Sequence, residues 1–144
     1  MSFSNNIGKS FALSNSNDED VKIKFIISEL SRLHINKFPY SCTSLYRLLI
    51  ESATKKAYGE KKPKENKIVL IYDNKNLSAA VGKLAKNNVL KFRQSERANI
   101  IEYIDKKKLI ETLNDYMHNP KLVDTDLILS SWITMKDYIK ACLV

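Results

Sequence analysis

The chain has 144 residues, a net charge of +8 and a pI near 9.4, with 44% hydrophobic and 28% charged residues. That length suits one domain with one sizeable core, and the composition is that of an ordinary soluble globular protein. No run of roughly eighteen apolar residues is present to span a membrane, and "MSFSNNIGKSFALSNSNDED" lacks the charged leader and apolar core of a secretory signal.

Residues 1–16 are rich in Ser and Asn and predict a disordered tail, leaving 17–144 as a single helical domain. "NDED" supplies a helix start, with Asn17 as cap and the acids at the positive end of the dipole. The first helix is expected from about Asp20 to His34, with Val21, Phe25, Ile26, Leu30 and Leu33 on its inner face. "NKFPYS" breaks it. Pro39 fits the first turn of a second helix, Pro39 to Tyr58, lined by Cys42, Leu45, Leu49, Ala53 and Ala57, widened by Leu48 and Ile50 and closed by Gly59.

"EKKPKENK" reads as a charged loop. "KIVLIYD" reads either as one short strand without an obvious partner or as the start of a buried helix. "NLSAAVGKLAKNNVL" predicts a helix with Leu77, Val81 and Leu84 inward. "SERANIIEYID" predicts another, with either Ala98, Ile101 and Ile104 or Ile100 and Tyr103 inward. "KKKLIETLNDYMH" places Leu109, Ile110, Leu113 and Met117 on one side, and Pro120 stops that helix after His118. Asp124 or Thr125 caps the last helix, where Ile128, Trp132, Met135, Ile139 and Cys142 form one stripe. The expected fold is all-α, a bundle of five or six helices, with room for one short strand in the middle insert.

The first twenty residues set Lys9 against Asp18, Glu19 and Asp20, a net of −2, so the rest of the chain carries +10. That balance favours an anionic partner, RNA or DNA first, although a lysine-rich solvated surface has the same composition. Lys55, Lys56, Lys61, Lys62 and Lys64 are the candidate phosphate contacts, interrupted by Glu60 and Glu65. Tyr40, Tyr46, Tyr58 and Tyr72 interleave them loosely, which is weak support for base stacking.

Asn114 and His118 stand four apart and share a helix face. An imidazole there suits acid/base work near neutral pH, and equally suits a helix C-terminus, where "His-Asn-Pro" makes a good stop. Arg47 and Glu51 form a second pair at the same spacing, either a helix ion pair that holds register or a phosphate-binding guanidinium. Cys42 and Cys142 lie far apart, with no metal spacing, and predict free thiols in a cytoplasmic protein. There is no Gly-rich phosphate loop, no G-x-S-x-G and no H-E-x-x-H, and His34 stands alone, so neither metal nor cofactor is expected.

"ISELSRLHINKFPYSCTSLYRLLIESATKKAYGE", followed after a variable middle by "IETLNDYMHNP" and a Trp-bearing last helix, resembles the HEPN superfamily over roughly residues 21–143. It looks most like the HEPN-like domains that follow ParB-like/sulfiredoxin-fold domains, and those of bacterial and phage-defence proteins. Their Arg-x-x-x-Glu is matched by Arg47 and Glu51, and their Asn-x-x-x-His by Asn114 and His118. The resemblance implies a helical bundle that dimerises through the faces carrying these residues, in a defence or toxin–antitoxin system. Many members are metal-independent ribonucleases whose motif is Arg, four to six residues, then His. Here Glu111, Thr112 and Leu113 precede Asn114, and the nearest upstream cations are Lys106, Lys107 and Lys108. The departure favours a non-catalytic interaction and dimerisation module. The alternative is a ribonuclease with a composite dimeric site of His118, Asn114 and a partner's Arg47.

Overall fold

A computed structural model describes residues 17–62, 67–70, 77–86 and 90–143. The expected tail, Lys64 and Tyr72 lie outside them. The order is α1 (Asp18–Arg32), α2 (Pro39–Tyr58), β1 (Gly59–Lys62), β2 (Lys67–Leu70), α3 (Leu77–Lys86) and α4 (Gln94–Ile101). A π-helical turn (Glu102–Lys106) follows, then α5 (Leu109–His118) and α6 (Thr125–Leu143). Among the described residues this is the expected all-α bundle, with six α-helices. No helix among the described residues is long and apolar enough to cross a membrane.

Helix α2 is the hub and packs against α1, α3, α5 and α6. Its buried face holds Cys42, Tyr46, Leu49, Ile50 and Ala53, flanked by half-buried Leu45, Leu48 and Ala57. Two tyrosines are fully buried, Tyr46 on α2 and Tyr138 on α6. Ser131 Oγ donates to Ile128 O and Thr54 Oγ1 donates to Ile50 O, each along its own helix. Their single protons are thereby used, so Tyr46 donates to Ser131 at 2.8 Å and Tyr138 donates to Thr54 at 2.7 Å. Trp132 meets Tyr46 edge-on, with ring centroids 5.7 Å apart. The α6 stripe of Ile128, Trp132, Met135, Ile139 and Cys142 is buried throughout, as its spacing predicts.

The caps follow the sequence. Asn17 Oδ1 accepts from Asp20 N at 2.8 Å and Asp124 Oδ1 accepts from Leu127 N at 3.1 Å. Other expectations need correction. The inner face of α1 is Ile23, Ile26, Ile27 and Leu30, while Phe25 is exposed and Val21 half-buried. The reason lies at Asp20, whose buried carboxylate meets Lys56 Nζ of α2 at 2.6 Å and rotates α1 toward that contact. "KIVL" does have a strand partner: Gly59–Lys62 pairs antiparallel with Lys67–Leu70, from Gly59 opposite Leu70 to Lys62 opposite Lys67. "GEKK" carries no strand signal, and its extended state comes from the pairing itself. In α4 and the π turn the buried residues are Ile100 and Ile104, one from each expected set, and Ala98 is exposed. The π turn widens each turn by a residue and stacks positions four apart. Met117 is exposed and Tyr116 takes its place in the core. Arg97 ties α3 to α4: its guanidinium donates to Ala85 O and Leu90 O and lies 5.3 Å from the centre of the Phe92 ring.

Both cysteines are free and buried. Burial raises both thiols, and that of Cys142 is pushed up to about 12, partly offset by a hydrogen bond with Tyr138. Neither thiol is expected to react with Ellman's reagent at pH 8 until denaturant is added; reaction of a native thiol within minutes would contradict this packing. A second test addresses the hydroxyl pairs. Thr54→Val and Tyr138→Phe should each cost about 1–2 kcal/mol in urea unfolding, because each removes the buried hydrogen bond between the two hydroxyls. The double variant should cost less than their sum, and strict additivity would show that the two hydroxyls do not act together.

Candidate functional site

Arg47 lies in the middle of α2, between apolar neighbours that hold its side chain against the bundle. Its Nε donates to Asn114 Oδ1 of α5 at 2.5 Å, and its Nη1 to Glu51 Oε2 at 2.8 Å. Glu51 Oε1 in turn meets Lys55 Nζ at 3.0 Å. The side chains of Arg47 and Glu51 are each 19% exposed, so the chain Asn114–Arg47–Glu51–Lys55 is neither dry nor freely solvated. Burial alone would raise the Glu51 carboxyl. The hydrogen bonds and charges of Lys55 and Arg47 outweigh it and hold the carboxyl below the usual carboxylate range.

Two contacts set the register of α2 against α5. Arg47 reaches Asn114, and seven residues earlier Tyr40 Oη donates to Lys121 O at 2.6 Å, seven residues beyond Asn114. The helices therefore run antiparallel. Rise along a helix then places His118 about 6 Å beyond the level of Arg47, toward the end of the bundle. His118 is exposed there and ends α5. The helix is closed by Asp115, which accepts from Asn119 Nδ2 at 2.7 Å and Lys121 Nζ at 2.9 Å. The structure thus joins Arg47, Glu51 and Asn114, while His118, four residues beyond Asn114 on the same helix, stands exposed at the end of α5.

Arg47 and Asn114 also line a cleft of about 610 Å³. Its other walls are Leu77, Ser78, Ala79, Gly82, Lys83 and Lys86 of α3, Asp105 of the π turn, and Ile110 and Glu111 of α5. Lys86 Nζ and Asp105 pair at 2.6 Å. Sequence reading missed these residues. The only trace was Lys83 and Lys86, three apart on one helix, which without the tertiary arrangement is an ordinary solvated face. The candidate phosphate contacts are scattered. Lys55 is held by Glu51 and Lys56 by Asp20. Lys61 and Lys62 lie in β1. Neither Lys55 nor Lys56 lines the cleft. Among the described residues no group of three or more His, Cys, Asp or Glu side chains is placed to hold a metal.

Comparison with protein-family models, curated proteins and solved structures finds no match to this chain.

The lowered Glu51 carboxyl makes a signed prediction. A carboxyl depressed in the folded state stabilises above its unfolded pKa, and that contribution fades as pH falls through the folded value. Glu51→Gln should lose about 1–2 kcal/mol at pH 7 and lose less than wild type between pH 5 and pH 3. Parallel stability–pH curves for the two proteins would show that Glu51 carries no such linkage.

Proposed function

We propose that this chain is a HEPN-like interaction module of a prokaryotic defence or toxin–antitoxin system. It pairs with a second copy or a partner protein and lays a basic surface against nucleic acid without cutting it. The observation that carries this reading is the engagement of Arg47. Two of its donors are committed to Asn114 and Glu51, so the residues that match the family motifs brace α2 against α5. On α5, Leu113 is fully buried and Glu111 is an exposed acid, so no cation stands on the turn ahead of His118.

Support for a pairing face comes from the end of the bundle where α2 begins and the α5–α6 turn lies. Phe38, Tyr40, Met117 and Leu122 are exposed there, Leu122 to 90%, close along the chain to His118. Exposed apolar side chains gathered at one end suit contact with another protein. The net charge of +8 supports salt-dependent contact with nucleic acid. The two buried thiols suit the reducing conditions of the cytoplasm, where we place the protein.

Sedimentation at micromolar concentration should give a dimer, and Leu122→Asp should shift it toward monomer. Labelled RNA incubated with the protein in EDTA should stay intact while being retarded at low salt. A strict monomer without affinity for RNA or DNA would overturn the proposal. EDTA-resistant cleavage that His118→Ala abolishes would replace it with the ribonuclease reading. In that case His118 would be the acid or base, with Asn114 and Arg47 polarising the phosphate.

A further inference from the structure

The cleft walled by α2, α3, α5 and the π turn has no part in that reading. We infer that it binds a small organic phosphate, held first by the unengaged Nη2 edge of Arg47. The volume of about 610 Å³ falls within the range of small-molecule sites. Arg47 has Nε on Asn114 and Nη1 on Glu51, and Nη2 has no protein partner among the described residues. These two bonds fix the plane of the guanidinium. Its remaining donors are therefore presented in one direction, where a free arginine would have to be ordered on binding.

Three further features converge on the same space. The Ser78 hydroxyl lines the cleft, and the first turn of α3 brings the positive end of its dipole there. Lys83, one turn further along α3, adds a second cation. Donors from two helices lie out of one plane, which suits the three oxygens of a tetrahedral phosphate better than a flat carboxylate. Leu77, Ala79 and Ile110 supply apolar wall for the organic part. Lys86 and Asp105 cancel each other. Glu111 is the lining charge left opposing an anion, which makes it a diagnostic position.

Calorimetric titration at low salt tests the site with inorganic phosphate, ribose 5-phosphate and succinate. Ribose 5-phosphate should saturate one site and bind at least tenfold tighter than inorganic phosphate, with succinate weaker still. Lys83→Glu should weaken ribose 5-phosphate about tenfold, and Glu111→Gln should tighten it about threefold. Lys91→Glu makes the same charge change at an exposed position outside the cleft and should leave it unchanged. The inference fails if neither phosphate binds saturably, or if succinate or inorganic phosphate matches the ester. It fails too if Lys83→Glu and Lys91→Glu weaken binding equally. None of these outcomes depends on dimerisation or on RNA.

Discussion

Tyr46 and Tyr138 carry hydroxyls into the interior, and each meets a hydroxyl on the facing helix. An unanswered buried hydroxyl costs on the order of 1–3 kcal/mol, a large share of the 5–15 kcal/mol that holds a domain together. Apolar contacts between α2 and α6 would tolerate a shift of one helix along the other. The two hydroxyl pairs do not, because a shift of one turn would take both buried tyrosine hydroxyls off their partners at once. They hold α6 in one register, and with it the buried stripe from Ile128 to Cys142. Since α2 also packs against α1, α3 and α5, the position of every other helix is referred to this fixed pair.

A second layer of constraint is ionic. Asp20 with Lys56 sets the rotation of α1 on α2, and Arg47 with Asn114 and Glu51 sets α5. Truncating one partner of such a pair costs more than the pair contributes, because a partly buried charge is left behind. These contacts act chiefly by making alternative packings costly. They also withdraw Lys55 and Lys56 from the surface charge that sequence alone would assign to nucleic acid.

The same arrangement divides the molecule into two regions. At one end, exposed apolar side chains and His118 surround the α5–α6 turn. In the middle, Arg47 stands between helices, bonded to Asn114 and Glu51, and is one of the residues that line the cleft. The π turn belongs to this second region, since it carries Asp105 to the cleft wall opposite Lys86. Lys108, which follows it, adopts a left-handed backbone with φ of 52°, a conformation that side-chain-bearing residues adopt at a cost. Irregular backbone of this kind gathers where a fold positions functional groups.

Helices with strong periodicity and good caps were legible from the residues alone: α2 from Pro39 to Tyr58, α3, the α6 stripe, the starts at Asn17 and Asp124, and the stop before Pro120. So were the pairings within one turn, such as Arg47 with Glu51. These depend on local propensity and on spacing along a single helix, which sequence encodes directly. The face of α1 was misread because a buried Asp20, answered 36 residues away by Lys56, outweighed the apolar pattern. The β1 strand was missed because its extended state comes from a partner strand. The hydrogen bond from Arg47 to Asn114 and the cleft with Lys83 were decided by tertiary structure alone. Each depends on the distance between helices far apart in the chain, and that distance is set by how buried hydroxyls and charges find partners.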